Sequence, residues 1–194
     1  MYCTKLESIN LPNSVGTIFE LAFAFTNFKE VFDLNRVTAL KRASFWGSKL
    51  PGVKINSDTG QFWEAFFDCP NLVTIKFARS VESADMWAFI GCNNKFEISS
   101  ESSTIVWDSE HKVLFNTNAV IYIREDATFP DGFFEQYNFE YTAFLWYKKP
   151  LQVNAVTNHY YWFRNSSLTS VTYRDVPESD VLIAIDFAYS TELS

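Results

Sequence analysis

Two histidines, three cysteines and a few neighbouring carboxylates are the side chains that could support catalysis or hold a metal. Their spacing favours neither. His111 and His159 stand far apart in sequence, and no His-x-x-x-His or Cys-x-x-Cys pair supplies a zinc spacing. A nucleophilic triad would need one histidine beside a serine or thiol and an acid, and nothing in the sequence brings such groups together. His111 falls in a polar turn, where ordinary exposure is expected. His159 precedes Tyr160-Tyr161-Trp162-Phe163 and is expected to be a satisfied, partly buried side chain. The carboxylate pairs Glu125-Asp126 and Glu178/Asp180 lie beside turns, where solvated acids are the rule. A glycosidase needs two carboxyls ~5–9 Å apart across a sugar cleft. The six glycines are isolated, so no phosphate-cradling loop is present. No cofactor or metal is expected.

The elements that would have to position any site are set by a repeat. Leu6, Phe28, Leu50 and Leu72 recur every 22 residues, each followed three positions later by a branched residue: Ile9, Val31, Val53 and Ile75. Near the end of each unit stand Ala22-Phe23, Ala43-Ser44-Phe45, Ala65-Phe66 and Ala88-Phe89. One such unit cannot bury its own apolar face and must stack on near-copies of itself. Leu6-x-x-Ile9-x-Leu11 reads as a short strand that Pro12 ends at a corner. Val15, Ile18, Ala22 and Phe23 have spacings that suit a tight helical turn or 3-10 segment on the return side. The predicted fold is an α/β or mainly β repeat solenoid of about seven to nine coils, with a parallel strand ladder.

In the second unit Asp33 stands where Leu11 stood, which is unexpected for an inward position. Beyond Cys92 the register changes. Polar 99–103 is followed by strand-like runs at Thr104–Trp107, Lys112–Phe115 and Ala119–Ile123, predicting an irregular strand-loop-strand insertion over 100–127. Ala143-Phe144, Leu168-x-x-Val171-x-Tyr173 and Val181-x-x-Ala184-x-x-x-Ala188-Tyr189 return to the repeat. One continuous solenoid over 1–194 is expected. Because Cys3 already occupies a repeat position, the chain reads as part of a longer array.

Composition narrows the partners. A net charge of −7 with scattered lysines and arginines argues against nucleic acid, whose phosphates want a clustered basic face. No run approaches the ~20 apolar residues of a membrane span, and Met1–Lys5, with no apolar stretch ahead of the first repeat, is not expected to act as a signal peptide. The 18% aromatic content is expected chiefly to fill the coils. Cys69 and Cys92 fall one coil apart, as buried reduced thiols or, alternatively, as a disulfide. Asn165-Ser166-Ser167 is a sequon in a predicted turn.

Residues between the inward positions of each strand form ladders on the outer face. One runs Ser8, Glu30, Gly52, Thr74, Glu97 and Ser170; the other runs Asn10, Phe32, Lys54, Lys76, Ser99 and Thr172. Successive coils lie ~4.8 Å apart, so Lys54 and Lys76 become adjacent like charges with Phe32 exposed beside them. The candidate partner-binding face is therefore Asn10, Glu30, Phe32, Lys54, Thr74 and Lys76, suited to an acidic or peptide partner.

The repeat resembles the bacterial surface protein A-like (BspA-like) branch of the leucine-rich repeat family. That branch follows Cys-x-x-Leu-x-x-Ile-x-Ile-Pro-x-Ser-Val-x-x-Ile-Gly-x-x-Ala-Phe. Cys3 to Phe23 matches except that Phe19 replaces the glycine; Cys69 to Phe89 has Ala78 for the proline and Asp85 for the glycine. Phe96–Ser99 and Val113–Asn116 resemble an insertion known between such repeats. The resemblance implies a leucine-rich repeat stack whose motif residues are core positions and not catalytic ones. It further implies a non-catalytic protein-binding scaffold of the cell-surface or adhesion type, secreted or surface-held, with an extracellular or host-derived protein partner. An intracellular protein-interaction module is the alternative, and a polysaccharide-active enzyme on a β-solenoid the minor one.

Overall fold

Apolar residues at the same place in successive units make columns, and those columns are the core. The computed structural model describes residues 2–34, 36–56, 64–84, 86–92, 95–116, 119–130, 133, 141–142, 151–154 and 171–174. It falls into two compact units, 1–107 and 108–194.

In the first unit the strands are β1 (Thr17–Ile18), β2 (Phe32–Asp33), β3 (Ala39–Leu40), β4 (Gly52–Ile55), β5 (Thr74–Phe77) and β6 (Glu97–Ser100). β2, β4, β5 and β6 pair in that order, all parallel. Val53, Ile75 and Ile98 stand in register, as do Gly52, Thr74 and Glu97 beside them. Inward Leu50, Val53, Ile55, Leu72 and Ile75 are fully buried, as the alternation requires. Gly52 is needed in the ladder: a Cβ there would lie 2.9 Å from the Thr74 carbonyl oxygen and 3.1 Å from a Val31 methyl.

Two sequence expectations are corrected on the return path. Val15 to Ile18 forms no helical turn; Thr17–Ile18 is a short strand pairing in parallel with Ala39–Leu40. Among the described residues the one 3-10 segment is Met86–Phe89. The other returns are turns built on left-handed residues, at Leu21, Ala43 and Glu64 and again at Phe25, Gly47, Asp68 and Gly91. These turns are tied from coil to coil by their backbones. Phe23 N–H donates to Ser44 O at 2.8 Å, Phe45 to Ala65 at 2.8 Å and Phe66 to Ala88 at 3.0 Å.

Two columns follow from that stacking. Phe23, Phe45, Phe66 and Phe89 stack with ring centroids 5.3, 5.3 and 5.7 Å apart. Beside them runs a buried column of hydroxyls and thiols: Thr26, Ser48, Cys69 and Cys92. Thr26 and Ser48 hydrogen-bond at 2.8 Å, while the Cys69 and Cys92 thiols donate to the carbonyls of Phe45 and Phe66 at 3.0 and 2.9 Å. Cys69 and Cys92 are free thiols, the first of the two expected states.

The second unit holds β8 (Val113–Phe115), β9 (Ala119–Ile123), β10 (Tyr141–Thr142), β11 (Leu151–Asn154) and β12 (Val171–Arg174), while β7 (Val106–Asp108) spans the boundary in sequence. β8 and β9 are antiparallel with an irregularity at Leu114/Phe115; β9–β10 and β11–β12 are parallel. Ala143-Phe144, His159, the Asn165 sequon, Leu168, Ser170, Glu178, Asp180 and the 181–189 run lie outside the described residues.

Two predictions follow from the columns. Ser44 occupies the place of Ala22, Ala65 and Ala88, and its buried hydroxyl has no hydrogen-bond partner among the described residues. Ser44→Ala should therefore raise stability by about 1 kcal/mol, the low end of an unsatisfied hydroxyl's cost, read as a higher urea midpoint; a lower midpoint contradicts this. Burial, helped by the neighbouring Cys92 thiol, pushes the Cys69 thiol well above its ordinary range. The folded protein thus keeps a proton that the unfolded chain releases above about pH 8.5. The contribution is intact below that pH and is lost progressively as pH rises beyond it. The urea midpoint should fall from about pH 8.5 upward, and less steeply in Cys69→Ser.

Candidate functional site

His111 and Asp126, two of the groups first considered for chemistry, are held structurally. His111 is half-buried, correcting its expected exposure. Its ring nitrogen Nδ1 lies 2.7 Å from Asp108 Oδ2, and its ring packs 4.5 Å from that of Phe133. Asp108 also accepts the backbone N–H groups of Glu110 and His111 at 2.9 and 3.0 Å. Burial pushes the Asp108 carboxyl up, but these His111 and Glu110 hydrogen bonds override it and hold the carboxyl below its ordinary range. The result is a locked turn. Asp126 is gripped by Arg124 at 2.6 Å and Lys112 at 2.8 Å, which hold its carboxyl far below the usual range. It is thereby unsuited to act as a general acid, which needs its proton near neutrality. Among the described residues no three His, Cys, Asp or Glu side chains cluster as a metal site would require.

The strand face has the stronger claim. Lys54 and Lys76 are in direct register, as are Gly52 and Thr74 beside them. Lys54, Thr74 and Lys76 project from the outer side of β4 and β5, Gly52 is buried beneath Val31 and Thr74, and Val53 and Ile75 between them are buried. Two ammonium groups one strand apart repel, and a carboxylate offsets this: Asp33 Oδ2 lies 3.5 Å from Lys54 Nζ. Asp33 also receives a hydrogen bond from the Asn56 amide.

Phe32 requires a correction. It is 8% exposed and packs against Phe23, Phe28 and Phe45 with centroids 5.6, 5.0 and 5.0 Å apart. Its register partner is Val53, and that of Asp33 is Lys54. The second coil is therefore displaced by one residue from the 22-residue count. Because side chains alternate with period two, a one-residue slip exchanges the faces. Phe32 and Leu34 turn inward, while Asp33 turns outward and Val31 is left 45% exposed. The misplaced aspartate at position 33 was the sequence signal for this slip.

Of the six residues expected on the face, Lys54, Thr74 and Lys76 are brought together on the ladder. Asn10 and Glu30 line a neighbouring cleft of about 440 Å³ between the first coil and β2. Phe32 belongs to the core, and its side is represented outside by Asp33, which the sequence reading did not assign to the face. A second depression of about 300 Å³ lies on the turn side beside Trp46 and Phe67. Its cation, Arg42, is already held by Glu64 at 2.8 Å, and the Trp46 indole N–H by Asp68 at 3.3 Å.

No helix among the described residues is long and apolar enough to cross a membrane. Searches of curated proteins and of solved structures each return no match. The family profile described as "BspA type Leucine rich repeat region" matches residues 1–111 in six copies. The parallel ladder, the column of phenylalanines and this match over more than half of the sequence together place the chain in the BspA-type leucine-rich repeat family.

Proposed function

We propose that this chain is a non-catalytic scaffold that recognises a protein at a cell surface through the outer face of its strand ladder. Leucine-rich repeats of this kind suggest protein interaction. The observation that carries the reading here is the paired cation row: Lys54 and Lys76, solvent-facing on a rigid ladder and flanked by Asp33 and Thr74. Ladder strands fix the backbones that carry these groups, so the ordering entropy to be lost on binding is confined to the lysine side chains. A lysine pair on a chain of net charge −7 offers a local contact for a carboxylate-bearing partner within an otherwise acidic molecule. The surface assignment rests on the resemblance to adhesion-type members of the family.

One observation favours a second reading, an intracellular interaction module. Cys69 and Cys92 stand one coil apart as free thiols, the state maintained in reducing compartments.

Immobilised extracellular-matrix and serum proteins, probed with wild type and with the Lys54→Glu/Lys76→Glu variant, test the proposal. Capture by wild type and at least about tenfold weaker capture by the folded variant is the expected result. Equal capture by both removes the lysine row from the site. No capture by wild type, with capture from a cytosolic fraction instead, favours the intracellular reading.

A further inference from the structure

The cleft between the first coil and β2 is an unfinished strand pairing. At its closed end Lys29 N–H donates to Glu7 O at 3.1 Å and Asn27 N–H to Leu6 O at 2.9 Å. Beyond that point, among the described residues, the backbone groups of 8–11 and the Val31 amide bond to no protein group. Parallel-ladder geometry turns Phe32 and Leu34 toward β4, with Leu34 N–H donating to Lys54 O at 3.0 Å, and so turns Val31 toward the cleft.

The one-residue slip explains why the two strands stay apart. The 22-residue count from Leu6 and Phe28 would match Ile9 with Val31, an outward residue. The side-chain pattern instead requires Ile9 to match Phe32, which is inward. Zipping in the 22-residue register would expose Ile9 and turn Asn10 to the core, so the side chains disfavour it. The outcome is an open wedge with Ile9 at 43% and Val31 at 45% exposure facing it.

We propose that this wedge is an edge-pairing site, taking an extended segment of a protein partner that carries basic side chains as an inserted strand. The proposal rests on the protein-recognition reading above and adds the partner's local chemistry. Edge pairing satisfies the open backbone groups on both sides, as strand addition does elsewhere. Aliphatic side chains of the guest would cover Ile9 and Val31. Glu7, Glu30 and Asp33 line the cleft and no lysine or arginine does; Lys29 lies 3.8 Å from Glu7 and Lys54 3.5 Å from Asp33, so Glu30 between them is the carboxylate left to meet a cationic guest side chain. Four residues of wedge span about 13 Å, enough for a short strand.

The probes are three acetylated and amidated hexapeptides: alternating valine and lysine, alternating valine and glutamate, and the lysine peptide with alternate backbone nitrogens methylated. Calorimetry gives the affinities, and amide exchange by NMR reports on Val31. In the free protein the Val31 amide should exchange rapidly. The lysine peptide should bind and slow that exchange by about tenfold or more, while the other two bind at least about tenfold more weakly. Glu7→Lys/Glu30→Lys should reverse the preference between lysine and glutamate peptides. The proposal is overturned by a Val31 amide already protected without peptide, by no binding of the lysine peptide, or by equal binding of all three. If it fails while Lys54→Glu/Lys76→Glu still weakens protein capture, the scaffold reading survives without the wedge. If neither variant changes any binding, both fall.

Discussion

Stacked phenylalanines set the distance to which the rest of the first unit conforms. Phe23, Phe45, Phe66 and Phe89 repeat at 5.3–5.7 Å, slightly wider than the ~4.8 Å between paired strands. Each aromatic pair contributes on the order of 0.5–1.5 kcal/mol beyond the area it buries. The turn carrying each ring donates to the next coil through the ring residue's own N–H. Ring stacking and backbone bonding thus act on the same residue, and a coil that lost one would weaken the other. The left-handed residues at Leu21, Ala43 and Glu64 persist because both interactions hold that backbone in place.

A repeat built this way tolerates displacement on the strand side. The phenylalanine column fixes the turns, so a coil with a different number of residues between turn and strand must shift its strand. The second coil does this: Phe32 enters the aromatic core beside Phe23 and Phe45, and Leu34 is fully buried behind it. Asp33 then emerges beside Lys54, where it offsets the repulsion between Lys54 and Lys76. Val31 emerges too, and the first coil is left without a strand whose pattern matches its own. One displaced residue therefore accounts for the balanced lysine row and for the cleft next to it.

Most of the architecture was legible because the inward columns repeat with few gaps. The 22-residue spacing of Leu50 and Leu72 gave their register, and so gave Gly52 opposite Thr74 and Lys54 opposite Lys76. The return path was less legible. Val15 and Ile18 have helical spacing, yet short strand pairing between Thr17–Ile18 and Ala39–Leu40 wins, because neighbouring coils present backbone groups there. Ser44 in place of an alanine, and Thr26 and Ser48 in line with Cys69 and Cys92, became visible as equivalent positions only when the turns were superposed by their hydrogen bonds. Phe32 was assigned to the wrong face because counting by 22 cannot see a slip of one. The aspartate after it marked the place without giving the direction.

The slip can be read directly from which side chain of the second coil meets solvent. Cysteines placed singly at Val31 and Phe32, in a Cys3→Ser background that removes the exposed native thiol, can be timed against a water-soluble thiol reagent under native conditions. Val31→Cys should react near the rate of the unfolded chain. Phe32→Cys should react at least about tenfold more slowly, governed by opening of the coil. Rapid labelling at position 32 with protection at position 31 would restore the unslipped 22-residue register and contradict the account.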